Sequence, residues 1–268
     1  MFFRQSPVKG RIASPMNALT MSCIEFVLVF GGALAGMAVR RAKPDDRFTQ
    51  EARDSIRLAI GLVITMTGLV LGMLVSSGKT FYDSQKNQVA ELSAQVIFVN
   101  DLLSAYGPET KELRIEARSS IEGIVDRIWP RNKNQSFELK PSTYGSNFYD
   151  HVQLLVPKNE AQASMKAQIL ASTLNLRKTY WLLFLQSQQT SITIPVLSAV
   201  TAWLVVIFFS FGLFAPRIPN VILTYVICAI AVSIAIFIIL SMNSPFSGAF
   251  RISPAAVRDV LDEIPPGQ

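Results

Sequence analysis

The residue types that commonly catalyse reactions or bind metals are sparse in this chain. Its 268 residues include one histidine, His151, and two cysteines, Cys23 and Cys228, which do not form a Cys-x-x-Cys pair. It contains no Gly-x-Ser-x-Gly motif, no His-Glu-x-x-His motif and no Gly-x-x-x-x-Gly-Lys phosphate loop. Between Glu109 and Asp126 the carboxylates alternate with Lys and Arg, as on a solvated helix face. We therefore expect no catalytic residue, no metal and no cofactor.

Glu25 is the one acidic residue in a long apolar segment near the N-terminus. A carboxylate at membrane depth often marks an ion or proton pathway. Glu25 is also only a few residues from the start of its predicted helix, where its side chain can reach the membrane interface. The sequence leaves both interpretations open.

Small residues recur at helical spacing in two apolar segments. The first contains Gly32-x-x-x-Gly36, and the second contains Gly68-x-x-x-Gly72, which Ser76 extends by one more turn. Such spacing lets helix backbones approach each other closely in lipid. The pattern predicts helix packing, within one chain or between subunits, or a pore-lining face.

The elements that carry these residues are defined by the absence of charge. No Lys, Arg, Asp or Glu occurs in residues 58–78, 179–216 or 218–250, and only 16% of the chain is charged. About 20 apolar helical residues cross a hydrocarbon core of ~30 Å. The sequence therefore predicts an all-α integral membrane protein in contact with the lipid bilayer.

These runs predict three spans, at residues 58–78, 190–215 and 221–242. The apolar segment at residues 22–39, with Glu25 as its one charge, is predicted to be the first of four spans. The connections after the first and third spans are short, so we predict two transmembrane hairpins separated by a large extramembrane insert. The predicted organisation is an N-terminal tail (1–20), a first hairpin (21–78), a helical insert (79–189), a second hairpin (190–242) and a C-terminal tail with a short helix (243–268).

The insert has the periodicity of helices rather than strands. Apolar residues recur every three or four positions from Phe81 to Leu103, with no Pro or Gly between Gly78 and Gly107. The second span is therefore predicted to continue as one helix that ends near Tyr106. A second amphipathic helix leads towards the third span, so the insert is predicted to be continuous with both neighbouring spans.

Several segments together resemble a bacterial membrane family described as bestrophin-like. They are Phe81-Tyr82-Asp83-Ser84-Gln85-Lys86 and Tyr106-Gly107-Pro108-Glu109-Thr110 in the insert, and Asn243-Ser244-Pro245-Phe246-Ser247-Gly248 followed by Arg251-Ile252-Ser253 near the C-terminus. The resemblance covers about residues 20–264. It implies a four-span helical fold and, by analogy with bestrophins, a homo-oligomeric anion channel.

The net charge of +6 is explained by the membrane better than by nucleic acid, because the basic residues flank the apolar spans. An even number of spans places both termini and the insert on one face. That face has nine Lys or Arg near the span ends, against seven on the other. The bestrophin resemblance places the insert and both termini in the cytoplasm, with the spans in the cell inner membrane.

Two functions remain open at this point. One is a homo-oligomeric channel for small anions, with the second spans packed around an axis. The other is a non-conducting scaffold or sensor whose helical insert binds an unidentified protein partner. The lack of a polar pore face favours the second, and the glycine pattern with the family resemblance favours the first.

Overall fold

The computed structural model describes residues 18–42, 49–129, 144–188, 194–215, 219–246 and 249–264. Within these ranges the chain forms eight α-helices and a single 3-10 turn at Pro108–Thr110, and no strand occurs in them. The helices are α1 (Ala18–Ala42), α2 (Gln50–Tyr106), α3 (Lys111–Ile128), α4 (Tyr144–Leu154), α5 (Glu160–Gln188), α6 (Ile194–Phe214), α7 (Pro219–Met242) and α8 (Ala255–Glu263).

Four helices are long and apolar enough to cross a membrane, which confirms the predicted helical class and number of spans. They are Ala18–Ala42, Asp54–Tyr106, Pro195–Phe214 and Asn220–Met242. The pairing of these helices into two hairpins stays a prediction. The connections on which it depends include residues 43–48 and 216–218, which lie outside the described ranges.

The chain divides into two compact units. The first comprises Met1–Gly78 and Ile192–Ser241, and the second comprises Lys79–Ser191 and Met242–Gln268. The predicted domain boundaries stay predictions. Most of the predicted N-terminal tail, residues 130–143 of the loop predicted at 130–147, and residues 189–193 before the third span also lie outside the described residues, whereas residues 144–147 belong to α4.

In the first unit, α1 and α6 make extensive contact. Val29 and Ala33 of α1 are fully buried and cluster with Val200, Leu204 and Phe208 of α6. Partly buried side chains of α2 and α7 pack against this cluster, and Ile236 and Ile239 of α7 form the centre of a second one. Each of these helices thus buries one side in the protein, and the apolar side chains exposed on its other side suit lipid.

The second unit has a core of the kind found in water-soluble helical domains. Aliphatic side chains from α2, α3, α5 and α8 form it, together with Trp129 and Phe246. A neighbouring cluster joins α2 and α3 to α4 and α5 through Leu103, Phe148 and Ile169. These clusters use the apolar stripes that the sequence predicted for the insert, because burial of those stripes stabilises the helices in water.

The Tyr-Gly-Pro junction after α2 is a sharp turn that needs glycine. Gly107 has φ +133°, a conformation that side-chain-bearing residues rarely adopt. The Thr110 hydroxyl donates to the Leu103 carbonyl oxygen at 2.5 Å and so satisfies one of the carbonyls at the end of α2. Gln162 donates to the Tyr106 carbonyl oxygen at 2.8 Å, and this bond ties the turn to α5.

The C-terminal motif is held by Trp129. Its indole nitrogen donates to the Ile252 carbonyl oxygen at 2.8 Å, and its ring meets Phe246 edge-on with centroids 6.0 Å apart. The Ile252 amide donates back to the Pro245 carbonyl oxygen at 2.8 Å. The two motifs that carry the family resemblance therefore hold local structure rather than a reactive group.

The pKa of the single histidine, His151 on α4, depends on its contact with α3. His151 Nδ1 lies 2.7 Å from a carboxylate oxygen of Glu116, and this bond raises the pKa of His151 above its ordinary value. We expect histidine-labelled protein in detergent to titrate by NMR above about 6.5. Glu116→Gln should lower the pKa, whereas Glu112→Gln on the same helix should change it little.

The sign of the linkage follows from the direction of this shift. The protonated form of His151 is favoured in the folded state, so the bond stabilises the α3–α4 contact fully at acidic pH. That contribution is lost as the pH rises through the raised pKa of His151. A titration that Glu116→Gln leaves unchanged would contradict the pairing.

Candidate functional site in the membrane helices

The glycines of α1 lie in the close contact with α6. A Cβ built on Gly36 would overlap the Phe209 carbonyl oxygen, and one built on Gly32 would lie 3.0 Å from the Val205 carbonyl oxygen. The contacts advance in the same direction along both helices, so α1 and α6 run parallel where they meet. The structure thus places Gly32 and Gly36 within one chain, as helix-packing residues.

A third glycine, which the sequence analysis missed, completes this contact from the other side. A Cβ built on Gly212 of α6 would overlap the Ala33 carbonyl oxygen. No Gly-x-x-x-Gly pair marks Gly212. Its one signal is its position two turns after Leu204 and Val205 on the face that meets α1.

The glycines of α2 have a different environment. Nothing in the described chain lies within 4 Å of a Cβ built on Gly68 or Gly72, and Ser76 is exposed. The same exposed face also carries Gly61 and Thr65, because the positions follow each other at intervals of three and four. We call these five residues (Gly61, Thr65, Gly68, Gly72 and Ser76) the small-residue stripe of α2.

The opposite face of α2 is the one that its own chain covers. Val63, Val70 and Leu74 pack against the α1–α6 core, and Thr67 is buried with its hydroxyl donating to the Val63 carbonyl oxygen at 2.7 Å. The small-residue stripe therefore points away from the rest of the first unit. The Thr65 hydroxyl donates to the Gly61 carbonyl oxygen at 3.0 Å, which leaves the acceptor side of its oxygen available.

Glu25 lies in the α1–α6 contact rather than at an exposed position. Its residue is 5% exposed, and one carboxylate oxygen accepts a hydrogen bond from the Thr201 hydroxyl at 2.8 Å. The other oxygen is buried without a partner in the described chain. Thr201 had no distinguishing feature in the sequence beyond being a hydroxyl in an apolar helix. The Glu25–Thr201 bond and the glycine contacts are thus parts of one interface.

The described residues contain no group of three or more His, Cys, Asp or Glu that could hold a metal ion. Cys23 and Cys228 are free and exposed. The polar side chains on the small-residue stripe are the hydroxyls of Thr65 and Ser76, and the stripe carries no ionisable group.

A family model described as "Bestrophin-like domain" matches residues 27–257. The chain belongs to the bestrophin-like family. The match extends from α1 into α8 and includes both the Gly107 turn and the Trp129-bound tail. No curated protein and no solved structure matches the chain significantly. The family match and the four apolar helices together indicate a membrane protein.

Two glycines of α1 predict opposite effects of a bulky substitution, because Gly36 lies in the α1–α6 contact and Gly31 lies outside it. Gly36→Leu would force α1 away from α6, and overpacking of this kind costs about 1–3 kcal/mol or more. We expect it to lower the apparent melting temperature in detergent by several degrees and to promote aggregation. Gly31→Leu is the matched control, because a Cβ on Gly31 meets nothing within 4 Å.

Thermal unfolding followed by fluorescence-detected size exclusion measures both variants. Equal stability of Gly36→Leu and Gly31→Leu would contradict the close α1–α6 contact.

Proposed function

We propose that this bestrophin-like protein assembles as a homo-oligomer in the cell inner membrane and conducts small anions through a central pore lined by α2. The supporting observation is the exposure of the membrane-spanning part of α2. In its most apolar window only 6% of the residues are buried, against 22–28% in the other three spans. A helix so little covered by its own chain is available to line a space shared with other copies.

Lipid alone explains part of this exposure. Leu58, Leu69 and Met73 are exposed by 78%, 66% and 73%, and such side chains suit acyl chains. The small-residue stripe beside them is different, because Gly and Ser fill little volume against lipid. In membranes such residues favour close helix approach or a water-filled space. The stripe therefore supports a second copy, or the lumen between copies, as its neighbour.

The sign of the conducted charge follows from what the second span lacks. Cation-selective pores commonly carry rings of Asp or Glu. Residues 58–78 contain neither, so the second span carries no acidic ring that would select cations. For orientation, we propose that both termini and the second unit lie in the cytoplasm. The support is the analogy with bestrophins, because nine basic residues against seven discriminate poorly between the two faces.

One observation favours the second candidate, a scaffold or sensor. Leu154 and Val156 of the second unit are 76% and 80% exposed, although this unit has a core of the water-soluble type. Exposed aliphatic side chains of this kind suit a protein partner. A protein that binds a partner through this patch and passes no ions would fit this alternative.

The test is ion flux through liposomes that contain the purified full-length protein. We expect chloride to pass more readily than potassium, and we expect Gly68→Leu or Gly72→Leu to reduce chloride flux about tenfold or more by filling the lumen. Gly31→Leu adds the same volume on an exposed face of α1 and should leave the flux unchanged.

Absence of flux from correctly folded wild-type protein would overturn the channel and favour the scaffold. Equal flux in the α2 variants and the wild type would show that the pore is not lined by the small-residue stripe.

A further inference from the structure

The second unit contains a cavity that the channel function does not use. Its volume is about 160 Å³, and helices α2, α3, α5 and α8 contribute to its lining. Most of the lining is aliphatic or aromatic, and the indole rings of Trp129 and Trp181 are part of it. Water occupies a cavity only where it finds two to four polar partners, so an apolar space of this size favours an apolar occupant.

The charged residues on the lining are all of one sign. Arg114 of α3 and Arg177 of α5 are present, and no Asp or Glu occurs among the described lining residues. Arg114 is half-buried and Arg177 is exposed, so the cavity has one cation within the fold and one next to solvent. This asymmetry distinguishes the cavity from a simple packing defect, which needs no charge at all.

Neither guanidinium is neutralised by a carboxylate in the described part of the chain. Arg114 Nε donates to the Asn100 side-chain oxygen at 3.0 Å, a neutral partner, and the other four N–H groups of the guanidinium stay available. Arg118, one turn further along α3, makes a contrast because it is paired with Glu122 at 2.9 Å. A guanidinium matches a planar carboxylate with two parallel hydrogen bonds.

We propose that this cavity binds a small aromatic carboxylate, with the ring in the apolar space and the carboxylate on Arg114 and Arg177. The size of the ring follows from the volume, since a dry cavity of about 150 Å³ in another protein accepts benzene. The proposal does not depend on whether the chain conducts ions, because the cavity lies wholly within the second unit.

The two cavity tryptophans provide a direct readout. The chain has three tryptophans, and the third, Trp203, lies in α6. In full-length Trp203→Phe protein in detergent, 4-bromobenzoate should quench the remaining fluorescence saturably, because bromine quenches an indole that it touches. We expect 4-bromobenzamide, which has the same ring without the charge, to bind at least about tenfold more weakly.

Variants separate the roles of charge and volume. Arg114→Gln and Arg177→Gln should each weaken 4-bromobenzoate binding about tenfold, since a hydrogen bond to a charged group is worth ~1.5–3 kcal/mol. Lys111→Gln removes one positive charge from an exposed position of α3 outside the lining and should leave the affinity unchanged. Ala117→Leu places a larger side chain on the lining, so we expect it to abolish saturable quenching by 4-bromobenzoate.

Three results would overturn the proposal. The first is quenching that does not saturate, which indicates partition into detergent. The second is equal affinity for the acid and the amide. The third is an affinity for 4-bromobenzoate that both arginine substitutions leave unchanged. This third result does not depend on Ala117→Leu, so the test stays decisive even if that variant fails to fold.

Discussion

The contact between α1 and α6 is the interaction on which the membrane part of this protein depends. Helices in lipid gain no hydrophobic free energy by meeting, because acyl chains solvate Leu and Ile as well as a neighbouring helix does. The free energy that holds two helices together must therefore come in large part from van der Waals contact, which close backbone approach makes possible. Gly36 and Gly212 permit that approach from the two sides, and each would clash with a carbonyl oxygen of the other helix if it carried a Cβ. The Glu25–Thr201 hydrogen bond adds a polar link in the same interface.

Helix α2 packs closely on one face only within the described chain. One face packs on the α1–α6 core, but on the other nothing in the described chain lies within 4 Å of a Cβ built on Gly61, Gly68 or Gly72. In the second unit the helices pack as in a water-soluble protein, because burial of their apolar stripes away from water is favourable. Its turn at Gly107 and its tail on Trp129 contain the two motifs on which the sequence resemblance was based, and both hold local structure. Chemistry or transport must be sought elsewhere, on α2 and in the cavity.

The sequence predicted the four spans because a run of about 20 apolar residues with one charge or none is a local property that the bilayer alone demands. The helical insert was also predictable from a local property, since apolar residues from Phe81 to Leu103 recur every three or four positions, as on one face of a helix. The partners of the helices were not predictable. Gly32-x-x-x-Gly36 and Gly68-x-x-x-Gly72 are the same pattern, yet one pair is packed inside the chain and the other is exposed. Gly212 and Thr201 carry no pattern, and the cavity joins residues as distant in sequence as Arg114, Arg177 and Ile264.

The central claim is that several copies of this chain assemble with the small-residue stripe of each α2 facing a shared pore. Native mass spectrometry of the detergent-purified protein measures this most directly, because each chain has a mass of 29.6 kDa. The account predicts one closed oligomer of several chains that persists on dilution. A monomer at 29.6 kDa under conditions that keep the protein folded would contradict it.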